Sequence, residues 1–116
     1  MKDIRFYVCP KCGNLITAAS EATVICCGIE LSASVLRKAE EDEKLTVEMI
    51  ENDYYVTSSH EMKKEHYLSF VALLTGDSMI LRRCYPEWDL QARLPNLGHG
   101  MLVWHCTRHG LMYQAV

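Results

Sequence analysis

Phe6-Tyr7-Val8-Cys9-Pro10-Lys11-Cys12-Gly13-Asn14-Leu15-Ile16, followed by Val24-Ile25-Cys26-Cys27-Gly28, is the stretch on which the reading of this chain turns. Short apolar runs alternate with Cys and Gly turns, the pattern of short strands around metal knuckles. Cys9 and Cys12 are two residues apart in a C-x-x-C knuckle, where two thiolates converge on one ion and turn amides stabilise the sulfur charge. Gly13 permits the tight return. Cys26 and Cys27 complete a four-sulfur set suited to zinc or iron. Zinc ribbons usually carry C-x-x-C in both halves. The adjacent second pair predicts a less symmetrical site, because neighbouring side chains of an extended chain point apart.

Outward from this module, Arg37-Lys38-Ala39-Glu40-Glu41-Asp42-Glu43-Lys44 is a charge run suited to a solvated linker or a short exposed helix. It divides the chain into a cysteine module over 1–36, a linker over 37–44 and a second domain over 45–116. In the second domain the β-branched and aromatic content rises. Strands are predicted at Thr46–Ile50, Tyr54–Ser58, Tyr67–Leu74, Met79–Arg82, Asp89–Leu94, Met101–Cys106 and Leu111–Ala115, with turn signals between them. The pattern favours a mainly β protein whose larger part is an antiparallel sandwich.

Bulk properties narrow the function. The 116 residues are 49% hydrophobic and 23% charged, as in globular proteins, and the net charge of −3 offers no basic face for nucleic acid or anionic membrane. Met1-Lys2-Asp3-Ile4-Arg5 lacks the apolar core of a signal peptide, and the apolar run from Leu68 to Leu74 is too short to span a bilayer. The expected location is the cytoplasm. There, six cysteines read as thiols or metal thiolates rather than disulfides.

The second domain holds its own potential ligands. Cys106-Thr107-Arg108-His109-Gly110 presents a thiolate and an imidazole from one turn. His60 and His66 are six positions apart and share no helical face, so a turn must lie between them if both bind one ion. His99 lies between two glycines and remains a candidate. His105 alternates with Cys106 along a strand and should face the other way. Cys84 reads as a buried thiol. A histidine taken singly is more often a surface or hydrogen-bonded core residue than a ligand.

The first stretch resembles the desulforedoxin module of the desulfoferrodoxins. Ser59-His60-Glu61-Met62-Lys63-Lys64-Glu65-His66-Tyr67-Leu68, Pro86-Glu87 and Trp104-His105-Cys106-Thr107-Arg108-His109-Gly110-Leu111 resemble, in this order, the iron domain of neelaredoxin and desulfoferrodoxin, the superoxide reductases. The resemblance implies a desulforedoxin-like knuckle followed by an immunoglobulin-like β-sandwich, with two mononuclear irons per chain. One is held by Cys9, Cys12, Cys26 and Cys27. The other takes His60, His66 and His109 as equatorial ligands and Cys106 as the axial one, with an open position for superoxide. It further implies a rubredoxin-type electron donor and a homodimer. Lys63 and Lys64 could attract an anionic substrate or simply form a solvated face.

One motif departs from the family. Its members carry Glu-Lys-His just before the first strand of this domain, and the matching stretch is Glu43-Lys44-Leu45. Leu45 removes one equatorial ligand, while Glu43 and Lys44 remain available as a sixth ligand and a positively charged guide for protons or substrate. Three histidines and a thiolate also suit zinc in a closed tetrahedron. The leading expectation is thus a superoxide reductase. Its alternatives are a non-enzymatic electron-transfer or metal-binding protein with a degenerate second site, and a zinc ribbon serving as an interaction module.

Overall fold

A computed structural model describes residues 4–116; Met1, Lys2 and Asp3, which open the first predicted module, lie outside the described residues. Arg5–Val8 (β1) pairs antiparallel with Leu15–Ala18 (β2), and Val24–Cys26 (β3) with Ile29–Leu31 (β4). The chain then adds Leu36–Lys38 (β5), a 3-10 turn at Glu41–Glu43, and Thr46–Ile50 (β6) and Asp53–Thr57 (β7). Leu68–Leu74 (β8), Met79–Arg83 (β9), Gln91–Pro95 (β10), Met101–Cys106 (β11) and Gly110–Ala115 (β12) complete it. The β6 and β11 bounds coincide with the sequence reading, and the other five predicted strands are displaced by one or two residues at one or both ends.

A five-stranded sheet in the order β5-β12-β11-β8-β9 faces a three-stranded sheet in the order β10-β7-β6. All pairings are antiparallel except β5 with β12. That parallel edge overlaps the start of the charge run expected to be a linker: Leu36–Lys38 align with Leu111–Tyr113, and the Ala39 N–H continues to the Tyr113 carbonyl at 2.9 Å. Its side chains are exposed, so backbone hydrogen bonding rather than burial defines it.

Between the two sheets lies a core that includes Val56, Leu68, Val71, Leu73, Leu94, Leu102, Trp104 and Met112. Phe70, Ala72, Leu74, Val103 and Leu111 belong to a second cluster on the outer face of the larger sheet, which Phe6 of β1 covers. The Phe6 and Phe70 rings stack with centroids 5.6 Å apart. This explains the unbroken apolar run of β8: buried on both faces, it has no solvent side to alternate with. The next residue of β1, Tyr7, points the opposite way and joins Cys9 and Leu31 in a third small cluster inside the knuckle.

Candidate metal centres

The four cysteines of the first module come together because two tight turns face each other. Around Cys9, the Gly13 N–H donates to the Cys9 carbonyl at 2.9 Å and the Cys9 N–H to the Asn14 carbonyl at 3.0 Å, with Gly13 at φ 73°. The β3–β4 hairpin has Cys27-Gly28 as its two-residue loop, both at positive φ (54° and 74°), the backbone of the tightest hairpin turns. Here the structure corrects the expectation drawn from the adjacent pair. Cys26 ends a strand while Cys27 lies in the left-handed region, so the chain between them is not extended and both sulfurs face the same point.

The ligand atoms of Cys9, Cys12, Cys26 and Cys27 all lie within 4.8 Å of one another. Sγ of Cys26 is 3.6 Å from that of Cys12 and 4.0 Å from that of Cys27. A metal with bonds to sulfur of about 2.3 Å separates tetrahedral ligands by about 3.8 Å, so the set fits a four-thiolate ion. Backbone N–H groups of Cys12 and Lys11 hold the Cys9 thiol down at about 6. Cys12 and Cys9 in turn push Cys27 up to about 12. All four sulfurs can be thiolates this close together only with a cation among them. Cys12 and Cys27 are exposed whereas Cys9 is buried, so the cluster presents one edge to solvent.

The second set is assembled from two connections at one end of the sandwich, that between β7 and β8 and that between β11 and β12. His60 follows β7, where the Ser58 hydroxyl accepts its backbone N–H at 2.9 Å. Lys63 and His66 exchange both backbone hydrogen bonds at 3.0 Å, closing the turn that the spacing of His60 and His66 required. Cys106 ends β11 at a bulge: His105 faces Phe70 but Cys106 faces Leu68, leaving Ser69 as the extra residue. The turn after it carries His109, and Gly110 at φ 84° returns the chain into β12.

Cys106 is fully buried, and its sulfur lies 3.2 Å from His66 Nε2, 3.3 Å from His109 Nδ1 and 3.4 Å from His60 Nε2. All four ligand atoms fall within 4.8 Å of one another. The other nitrogen of His66 meets the Glu61 carboxylate at 2.8 Å, and Nδ1 of His60 meets the Glu61 carbonyl. These partners fix the tautomers that leave each Nε2 free to bind metal. Burial lowers the pKa of His60, favouring the neutral ring a ligand needs. Imidazole and thiolate donors in this arrangement fit ferrous iron or zinc.

A cavity of about 340 Å³ opens onto the three imidazoles and is walled by Asp42, Glu43, Lys44, Ser58, Ser59 and Met112. Glu43 and Lys44 thus border the site, but both are engaged. The Arg37 guanidinium donates to the two Glu43 oxygens at 2.8 Å each, and the Glu40 N–H adds a third bond at 3.0 Å. Lys44 pairs with Glu41 at 3.1 Å. Leu45 is 5% exposed and belongs to the core, its backbone clamped by Gln114.

The remaining candidates stand apart from both sets. His105 faces outward beneath Phe70 and bonds the Ser69 hydroxyl at 2.8 Å, as strand alternation required. His99 is exposed in the β10–β11 loop. Cys84 is half-buried, and burial raises its thiol to about 11. Arg37 is the residue of the site that sequence reasoning missed. It sits in the charge run six positions from Glu43, with nothing local to mark the pairing.

A mainly β chain with a four-thiolate cluster and a His3Cys cluster at the end of a sandwich defines a protein with two candidate metal centres. No protein-family profile matches it. It is similar to desulfoferrodoxin of Clostridium acetobutylicum, with 23% identity over 117 residues, covering 94% of each chain. Its fold is that of the superoxide reductase from Treponema pallidum, with a TM-score of 0.81, 18% identity and coverage of 98% of this chain and 99% of that one. The resemblance read from the motifs therefore extends over nearly the whole molecule, with one histidine fewer in the second set. No helix among the described residues is long and apolar enough to cross a membrane.

Proposed function

We propose that this chain is a desulfoferrodoxin-like non-haem iron protein that reduces superoxide to hydrogen peroxide with electrons from an external donor. The observation that carries the reading is the Cys106 sulfur with three imidazole nitrogens at 3.2–3.4 Å, opening onto a cavity bordered by Lys44. His60, His66, His109 and Cys106 are the ligands in this reading. Iron, when bound there, supplies one electron to superoxide, and two protons complete hydrogen peroxide. The protein's own part is to hold the imidazoles neutral, to bury the thiolate and to place the Lys44 ammonium where a small anion enters. Glu43 serves as the anchor of that segment.

Cys9, Cys12, Cys26 and Cys27 hold a second iron in this proposal, which receives electrons at its exposed edge from a rubredoxin-type donor. We assign residues 1–36 to this module, 37–44 to a connection that begins within the edge strand β5 of the larger sheet, and 45–116 to the rest of the catalytic sandwich, and propose a cytoplasmic homodimer. The test is anaerobic loading with ferrous iron followed by stopped-flow measurement of superoxide consumption. Peroxide formation no faster than the uncatalysed rate rejects the reaction.

A second reading is favoured by Leu45, which lies in the core where the resemblance calls for a histidine. It makes the second set a closed zinc site in a metal-binding or electron-transfer protein. Metal analysis with visible spectroscopy separates the two, because a zinc site is colourless and a ferric thiolate site absorbs strongly.

A further inference from the structure

We propose that the centre built on Cys106 presents two adjacent open positions, so that it takes a chelating small oxyanion, or two monodentate anions, rather than a single one. The inference rests on the reading of His60, His66, Cys106 and His109 as one metal site.

The first argument is the spacing of the donors. With metal bonds of about 2.3 Å to sulfur and about 2.05 Å to nitrogen, a tetrahedral site separates S and N by about 3.6 Å and a right-angled one by about 3.1 Å. The three separations here, 3.2, 3.3 and 3.4 Å, lie between the two values, and those to His66 and His109 are nearer the right-angled one. The three imidazoles line the cavity while the buried Cys106 does not, so the open side of the set is the imidazole side. Around that sulfur, His66 stands edge-on to both His60 and His109, with centroids 4.6 and 5.3 Å away. The rings therefore form an arc with His66 at its middle. An ion held by this set with its imidazoles at right angles to the thiolate would keep two further positions free, the fourth corner beside the arc and the one opposite sulfur.

The second argument is that, Asp42 apart, the side chains able to close the fourth corner are committed elsewhere. Leu45 has no donor, and Gln114 clamps its backbone at 2.7 and 3.2 Å. Glu43 spends its carboxylate on Arg37 and the Glu40 N–H. Lys44 is paired with Glu41. Met112 walls the cavity but is 2% exposed and packed in the core. Asp42 is the remaining carboxylate on the wall, and it is exposed to solvent. The cavity of about 340 Å³ has room for a chelating anion of a few heavy atoms.

The experiment is an anaerobic titration of the full chain loaded with cobalt(II), read by its visible d–d bands, first with azide and then with acetohydroxamate. The four-thiolate site is closed and takes up neither. The expected result is two successive azide steps per responsive cobalt and one-to-one binding of acetohydroxamate. Leu45→His should leave one azide step and weaken acetohydroxamate at least tenfold. Should that variant not fold, the azide count of the unaltered protein decides alone. A single azide step, or azide binding without acetohydroxamate binding, would overturn the proposal. So would a second azide step seen only in Asp42→Asn, since Asp42 would then be closing the corner. Failure of the Cys106 set to bind cobalt overturns the site reading itself. Two azide steps in a protein inactive towards superoxide support the inference and refute only the reaction.

Discussion

Arg37 grips Glu43 with both terminal nitrogens, each 2.8 Å from a different carboxylate oxygen, and so ties the parallel edge strand to the wall of the candidate site. Arg37 first, then the Glu40 N–H, hold the Glu43 carboxyl down at about 2. A depressed carboxylate contributes stability above its unfolded pKa of about 4.3, and that contribution is lost as the pH falls through about 2. Arg37→Gln should return Glu43 to the ordinary carboxylate range, measured by carbon-detected NMR titration. Because the Arg37 side chain is 44% exposed and screened by solvent, the accompanying loss of stability at pH 7 should be small.

Burial lowers the pKa values of His105 and His60, which gives an acid sensitivity of the same sign as that of Glu43 but in a higher pH window. Each ring binds its proton more readily in the unfolded chain. Stability of the metal-free protein is therefore full above about pH 6.5 and falls as the pH drops below it, levelling off once the folded rings are also protonated. His105→Gln should flatten part of this slope in urea denaturation followed between pH 5 and about 7. An unchanged slope would mean that His105 does not titrate differently in the two states.

Phe6 is 2% exposed and stacks on Phe70, so Phe6→Ala removes an aromatic ring from a packed face. The expected cost is about 3–5 kcal/mol, read as a shift in the denaturation midpoint of the whole chain. Retention of wild-type stability would show that β1 is not part of the cooperative fold.

Cys106→Ser removes the sulfur around which three imidazoles are gathered, without touching the first module. Metal analysis should find one ion per chain in place of two, with the four-thiolate absorption retained. Loss of both ions would contradict the independence of the two sets.

Glu61 holds His66 through Nδ1 at 2.8 Å. Glu61→Gln keeps the shape but weakens that bond, and metal affinity at the second set should fall by about 10- to 100-fold in a chelator competition.

Much of this architecture could be read from residue order, because side-chain alternation and turn residues report directly on half-buried strands. Thr46–Ile50 and Met101–Cys106 needed no tertiary information. The parallel edge strand Leu36–Lys38 was illegible: its side chains are solvated, and only its backbone partner on β12 defines it. The convergence of Cys26 and Cys27 depends on a left-handed residue that Gly28 hinted at but did not specify. For the second set the ligands were legible as residue types. What surrounds the missing histidine was not, since the pairing of Glu43 with Arg37 and the clamp of Gln114 on Leu45 join distant parts of the fold.

Adjacent residues of β1 serve two different interiors, Phe6 the outer face of the large sheet and Tyr7 the small cluster that includes Cys9. A four-residue strand is thereby a shared wall, and neither interior can open without straining the other. Occupancy of the thiolate cluster then becomes a thermodynamic lever on the sandwich: each tenfold rise in free metal above the dissociation constant adds about 1.4 kcal/mol against unfolding of the linked unit. The chain would report metal starvation of the knuckle as a loosening of the sandwich packed against it.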